Sequence, residues 1–283
     1  MSPVGVLTDS TAYLPEELIR QYDIRVVPLF VHWDGQTYRD GIDITPDVFY
    51  ERLRRSPTLP TTSQPSMQDF LQAYEEMATR YDAIVAVLIS SGISGTVASA
   101  TAAAQEFKKI PVAIVDTKST SVAQGYVALE AARVAQAGGT LEEVQQAAQR
   151  VVERTHTFFV VDTLKYLHKG GRIGGAARYL GTALNIKPIL YFDREGKIDA
   201  LERVRSKKRA LRRIIELARE RVGDRPVNVG IIHANAREEG LAFKAQVEQS
   251  FQCREILFVE LSPVLGTHVG PGTIGLGLYS VSD

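Results

Sequence analysis

Cysteine is almost missing: Cys253 is the only one in 283 residues. A single thiol makes no internal disulfide, which excludes a cross-linked secreted scaffold. Histidine is sparse as well. His32, His156, His168, His233 and His268 are scattered, with no i,i+4 pair and no Cys/His cluster, so no metal site is expected. Net charge is absent, because 33 Lys and Arg offset 33 Asp and Glu. No overall field then draws the chain to nucleic acid or to an anionic membrane. Long apolar runs are lacking too. The cleanest, Ala83 to Ile89, is far too short to span a bilayer, so no integral membrane segment is expected. At the N-terminus, no charged segment precedes an apolar stretch; the chain enters a strand at Val4, and the expected location is the cytoplasm. Neither a G-x-x-x-x-G-K-S/T phosphate loop nor a G-x-G-x-x-G turn after the first strand is present. No nucleotide and no other cofactor is expected.

What is present is enough apolar residue, 45%, for a packed core. In the first half, strands alternate with helices. Val4–Thr8, Arg25–Val31, Ala83–Ile89 and Val112–Asp116 read as strands. Helices are expected over Pro15–Tyr22, Pro46–Arg54, Ser66–Arg80, Ser94–Phe107, Val122–Gln136 and Leu141–Arg154. That alternation predicts βαβ units and a mostly parallel sheet with flanking helices. The second half changes character. Strands at Thr157–Val161, Val227–His233 and Arg254–Glu260 mix with a hairpin, Lys187–Phe192 and Lys197–Val204, and with helices at Ala176–Leu184, Lys207–Val222 and Glu238–Ser250. The fold class expected is therefore α/β in two domains. Residues 1–155 form an α/β domain and 156–272 an α+β domain with a mixed or antiparallel sheet. The final strand, within 273–283, is free to return to the first sheet.

Ser, Thr and Gly gather at the carboxyl ends of the predicted strands, where open α/β sheets bind ligands. Ser90-Ser91-Gly92-Ile93-Ser94-Gly95-Thr96 runs straight into a helix. Hydroxyls beside free first-turn N–H groups suit an anion, and equally suit a plain helix cap. Thr61-Thr62-Ser63-Gln64-Pro65-Ser66 repeats the pattern before the next helix N-terminus. In Gly266-Thr267-His268-Val269-Gly270-Pro271-Gly272, the glycines let a histidine approach a ligand closely. Asp9-Ser10-Thr11 and Asp116-Thr117-Lys118-Ser119 also end strands, and turn formation explains most of those residues. Lys207–Arg213 holds five basic residues in seven, which reads as a nucleic-acid contact or, more commonly, a solvated helix face.

Taken in order, these pieces resemble the DegV family of bacterial fatty-acid-binding proteins. The resemblance rests on Thr8-Asp9-Ser10-Thr11, Thr62-Ser63-Gln64-Pro65-Ser66 and Ser90-Ser91-Gly92-Ile93-Ser94-Gly95-Thr96. It continues through Leu164-Lys165-Tyr166-Leu167-His168-Lys169-Gly170-Gly171-Arg172-Ile173, Ile186-Lys187-Pro188-Ile189-Leu190, Arg203-Val204-Arg205 and His268 to Gly272. It implies a long-chain fatty acid buried between two domains, its carboxylate held by Thr62 and Ser94, with His268 in the head-group network. Arg172 and Arg205 are implied near the head group or on a partner-facing surface. The resemblance further implies a non-enzymatic carrier that presents its carboxyl group to a separate ATP-dependent fatty acid kinase subunit. Tunnel positions are expected on Phe158–Val161, Ala176–Leu184 and Ile186–Leu190.

Two other readings stay open. Gly92-Ile93-Ser94-Gly95-Thr96 approaches the nucleophile elbow G-x-S-x-G but ends in Thr, so an acyl hydrolase using Ser94 and His268 is the alternative. A regulator binding nucleic acid through Lys207–Arg213 is the other.

Overall fold

The computed structural model describes residues 3–181 and 186–281. In chain order the elements are β1 (Val4–Asp9), α1 (Glu16–Gln21), β2 (Arg25–Val27), β3 (Phe30–Trp33), β4 (Gln36–Arg39), α2 (Pro46–Arg55), β5 (Thr61–Ser63), α3 (Met67–Met77) and β6 (Ala83–Leu88). There follow α4 (Thr96–Glu106), β7 (Val112–Asp116), α5 (Ser121–Gln136), α6 (Leu141–Arg154), β8 (Thr155–Val160), α7 (Lys165–Lys169), β9 (Lys187–Phe192) and β10 (Ile198–Val204). The chain ends with α8 (Lys207–Val222), β11 (Val227–His233), α9 (Arg237–Ser250), β12 (Cys253–Glu260), α10 (Pro263–Val269) and β13 (Ile274–Ser280).

β2, β1, β6 and β7 form a parallel sheet in that order. β1 and β6 are buried at every position, which is why β6 reads as an unbroken apolar run. Alternate side chains serve opposite faces. Leu7, Ile84, Ala86 and Leu88 pack with Phe70, Tyr74 and Ala100 of α3 and α4. Val4, Val6, Val85 and Val87 pack with Val127, Ala131, Val144 and Ala148 of α5 and α6. Capping boxes start two of these helices. Ser66 and Asp69 hold the first turn of α3, and Thr140 and Glu143 that of α6.

The second sheet has six strands in the order β10-β9-β8-β13-β11-β12, antiparallel except for β11 with β12. The chain crosses from one sheet to the other where α6 ends at Arg154 and β8 begins. α8 and α9 cover one face of this sheet through Ile214, Leu217, Phe243 and Val247. α5 approaches the other face. A Cβ on Gly230 of β11 would lie 2.0 Å from Val122 Cγ1, and one on Gly277 of β13 would lie 3.2 Å from Ala123 Cβ. The glycines make room for the start of α5, and Tyr126 Oη then donates to the Val229 carbonyl at 2.7 Å. α5 therefore lies between the two sheets.

Several expectations are corrected. The final strand does not return to the first sheet. β13 lies between β8 and β11, because β1 already has a strand on each side while β8 and β11 would otherwise expose open edges. Arg25–Val31 is not one strand. It stops at Val27, before Pro28, and β3 joins a separate three-stranded sheet in the order β4-β3-β5. Thr61–Ser63, where no strand is expected, is the third strand of that sheet. The helix expected from Ser94 begins at Thr96. Of the expected Ala176–Leu184 helix, Gly174–Tyr179 is a 3-10 turn, and residues 182–184 lie outside the described residues.

Candidate functional site

Between the sheets lies a partly enclosed cavity. Ile93, Phe159, Leu167, Ile198, Ile232 and Leu265 make most of its wall apolar. This is the composition of a site for an apolar ligand with a few polar anchors.

The polar residues gather where four short motifs meet. β5 carries Thr62, opposite Val31 in the register of β3. Its hydroxyl lies 2.7 Å from His268 Nε2, a contact between residues 206 apart in sequence. The sequence places His268 in a glycine loop; in the structure it stands in the last turn of α10. Gly266 is what permits a helix there, because a Cβ on it would lie 2.5 Å from Tyr50 Oη, and Phe49 and Tyr50 of α2 occupy that space. α10 is fixed at its other end. Ser262 caps it, and Asp40 accepts the Val264 N–H at 3.2 Å and the Ser10 hydroxyl at 2.8 Å. Burial raises Asp40 to about 7. The small sheet, the β1 turn and α10 are thereby tied into one support for His268.

His268 Nδ1 is buried and has no partner. Gly170, just after α7, leaves the room for it, since a Cβ there would lie 2.2 Å from Nδ1. Desolvation, with the Arg172 charge nearby, lowers His268 to about 4. The ring is therefore neutral at pH 7, and its bond to Thr62 joins two neutral groups.

Ser94 stands at the entrance to α4. Its hydroxyl accepts the Thr96 N–H at 3.3 Å and lies 2.8 Å from Thr96 Oγ1. The N-cap residue Gly95 has no side chain to close the first turn, so N–H groups of α4 remain open beside Ser94. Gln64 folds over this turn; a Cβ on Gly95 would lie 2.9 Å from its Nε2. Arg172 completes the group. Its Nε donates to the Ile93 carbonyl at 3.1 Å and its Nη1 to the Gly170 carbonyl at 2.8 Å. Among the described residues it has no carboxylate partner. Thr62, Gln64, Ser94, Arg172 and His268 all line the cavity. Of the five residues that the resemblance implies at the head group or the partner surface, Arg205 alone stays apart: it is exposed and does not line the cavity.

This arrangement can take an anion. It offers hydroxyls, helix N–H groups and one guanidinium at the end of an apolar space. It is poorly arranged for acyl hydrolysis. Ser94 bonds Thr96 rather than His268, His268 bonds Thr62, and no carboxylate orients Nδ1. The basic run of α8 is partly taken up by ion pairs, while Lys208, Arg209 and Arg212 are exposed. Lys207 pairs with Glu239 and Asp162, and Arg213 with Glu202, Glu216 and Glu220. Among the described residues, no helix is long and apolar enough to cross a membrane, and no group of His, Cys, Asp and Glu could hold a metal ion.

Sequence reasoning missed the polar pair Thr120 and Ser121, which also line the cavity. The signal lay in the Asp116-Thr117-Lys118-Ser119 segment, and turn chemistry masked it.

Comparison with known proteins agrees over the whole chain. The model of the DegV family, described as uncharacterised proteins, matches residues 3–281. Protein DegV of Bacillus subtilis is 36% identical over 275 residues, covering 96% of this chain and 98% of that one. A structure described as fatty acid binding of a DegV family protein from Thermus thermophilus superposes with a TM-score of 0.93 at 37% identity, covering 99% of this chain and 100% of the other. That of DegV, a fatty acid binding protein from Bacillus subtilis, gives 0.92 at 35%, with coverage of 99% and 100%. With the family model matched over residues 3–281 and a relative more than a third identical along nearly its whole length, the chain belongs to the DegV family.

Proposed function

We propose that this chain binds one long-chain fatty acid. Thr62 and Ser94 hold the carboxylate, neutral His268 buttresses Thr62, and Arg172 supplies the counter-charge. The acyl chain lies along Phe159, Leu167 and Ile232. The observation that carries this reading is the Arg172 guanidinium, without a carboxylate partner among the described residues, beside three hydrogen-bonding side chains at one end of an apolar cavity. The fatty-acid-binding descriptions of the Thermus and Bacillus proteins support it. Burying about fifteen methylenes contributes on the order of 10 kcal/mol before ordering costs. The head group needs only to fix orientation.

On this reading the two halves, 1–155 and 156 onward, act as two domains closing on the ligand in the cytoplasm. The chain is a carrier rather than an enzyme and hands the carboxyl group to an ATP-dependent fatty acid kinase subunit. Arg205, exposed and outside the cavity, belongs to the partner-facing surface.

The test is extraction of the purified protein with organic solvent and mass spectrometry of the extract, alongside a Thr62→Ala/Ser94→Ala variant. Near-stoichiometric fatty acid is expected in the parent. Each lost hydrogen bond to the carboxylate costs about 1.5–3 kcal/mol, so the variant binds at least tenfold more weakly. A parent that comes out empty and stays empty with added fatty acids overturns the reading.

A further inference from the structure

A second pair of hydroxyls opens on the cavity beside the Ser94 loop. β6 and β7 are neighbours in the parallel sheet, and each leads from its carboxyl end into a helix. The loop after β6 carries Ser90 to Ser94 and enters α4; the loop after β7 carries Thr117 to Thr120 and enters α5, a helix of 16 residues. The two loops are bonded to each other. The Ser90 N–H donates to the Ser119 carbonyl at 2.9 Å, and the Ser94 N–H to the Ser90 carbonyl at 3.1 Å. Two backbone hydrogen bonds thus connect Ser94 to the residue just before Thr120. From there α4 packs on one face of the sheet and α5 on the other. Their N-termini straddle the carboxyl edge of the sheet, where open sheets take ligands.

Ser94, Thr120 and Ser121 all line the cavity, but they differ in what they bond. The Ser94 hydroxyl has Thr96. Thr120 Oγ1 and Ser121 Oγ are buried and have no partner, and Ser121 is only 2% exposed. Thr120 occupies the N-cap position yet makes no side-chain cap bond, so the helix does not use its hydroxyl. Ser121 has a φ of 56°, in the left-handed region that residues with a Cβ avoid. This strained turn carries to the cavity wall a hydroxyl that no protein group uses. A buried, unpaired hydroxyl is costly, and two adjacent ones on an apolar wall call for one shared partner. A methylene passing them leaves both unsatisfied. A hydroxyl both donates and accepts, so a single one on the ligand satisfies the two together.

We propose that Thr120 and Ser121 form a hydroxyl subsite next to the carboxylate anchor, and that the ligand class this chain favours is a long-chain fatty acid hydroxylated in the carboxyl-proximal half of its chain. This rests on the fatty acid reading above and sharpens it. A second carboxylate fits less well. Among the described residues lining the cavity, Arg172 is the only Lys or Arg, and it answers the first carboxylate.

The experiment uses the delipidated full chain and displacement of a fluorescent fatty acid. Plain hexadecanoic acid is compared with hexadecanoic acids bearing one hydroxyl at carbon 2, 3, 6, 8 or 16. Where a hydroxyl is buried without polar partners, binding weakens by roughly tenfold or more. That loss is expected for the terminal hydroxyl at carbon 16. At one of the other positions, the hydroxy acid is expected to bind at least as tightly as the plain acid. In Thr120→Val/Ser121→Ala, which keeps both Cβ atoms, the plain acid should then win over that isomer by about tenfold or more. If the plain acid is tighter than all four carboxyl-proximal isomers in the parent, or the variant leaves the ratio unchanged, the subsite does not exist and a trapped water satisfies the hydroxyls. If the terminal isomer is the tightest, the placement beside Ser94 is overturned. The parent's series decides even if the variant fails to fold. Binding of neither the plain acid nor any isomer overturns the fatty acid reading itself, and this inference with it.

Discussion

The two sheets answer the same packing problem in opposite ways. In the parallel sheet, β1 and β6 fill both faces with Val, Leu, Ile and Ala, and helices lie on top. In the mixed sheet, Gly230 and Gly277 leave the face vacant, and α5 descends into the gap. One sheet is stabilised by the side chains it carries, the other by those it omits. The start of α5, with Thr120 and Ser121, reaches the cavity only because of the omission. A glycine inside a strand here sets where a ligand wall stands.

Changes of one or a few methyl groups test the contrast. Ile84→Ala in β6 removes buried volume that α3 and α4 cannot refill, and we expect a loss of about 2–5 kcal/mol in urea unfolding. Gly230→Ala in β11 adds a methyl 2.0 Å from Val122 Cγ1, and stability should fall by about 1–3 kcal/mol. If the first is harmless or the second stabilises, the contrast fails.

The seam between the sheets is probed by pH. His268 titrates near 4 when folded, against an ordinary value of 6.5. The unfolded chain then binds more protons between those values, so this residue's contribution is complete above about 6.5 and falls away as pH drops toward 4. Asp40 acts in the other direction. Raised to about 7, it favours the folded state most below its ordinary value of 3.8, and that contribution is lost as pH rises to about 7. Comparing pH 7 with pH 5, His268→Gln should lose about 1–2 kcal/mol less stability on acidification than the parent. Equal losses would place the histidine in contact with water. The smallest effect belongs to the outer face of the mixed sheet. Arg213→Ala removes partly exposed ion pairs and should cost about 0.5 kcal/mol, diminishing in high salt.

Legibility in the sequence followed the same division. β6 and its neighbours were readable because two-sided burial leaves a bare apolar run. α8 was readable from its cap, Ser206, whose hydroxyl accepts the Arg209 N–H. β5 was not, because Thr61, Thr62 and Ser63 carry no apolar period and their partner strand lies some thirty residues upstream. α10 was not, because Gly266 and Gly270 suggest a loop. What makes a helix there is the pair of rings from α2, which no local pattern reports. Ser94, Thr62 and His268 could be picked out as residue types in motifs. That Thr62 bonds His268, and that Ser94 bonds Thr96 instead, depends on strands and helices meeting across 200 residues.

The position of β13 has a consequence for how the molecule comes into being. The last strand of the described chain is an interior strand of the larger sheet, flanked by β8 and β11. The Asp40–Val264 and Thr62–His268 bonds close loops of 224 and 206 residues. During synthesis, the parallel sheet can assemble while the ribosome is still at work. The larger sheet must wait with two open edges, β8 and β11, until residues 274–280 emerge. A nascent chain stalled shortly before that point holds every residue of the head group and no stable cavity, and its two open edges are where misassembly with a second chain begins.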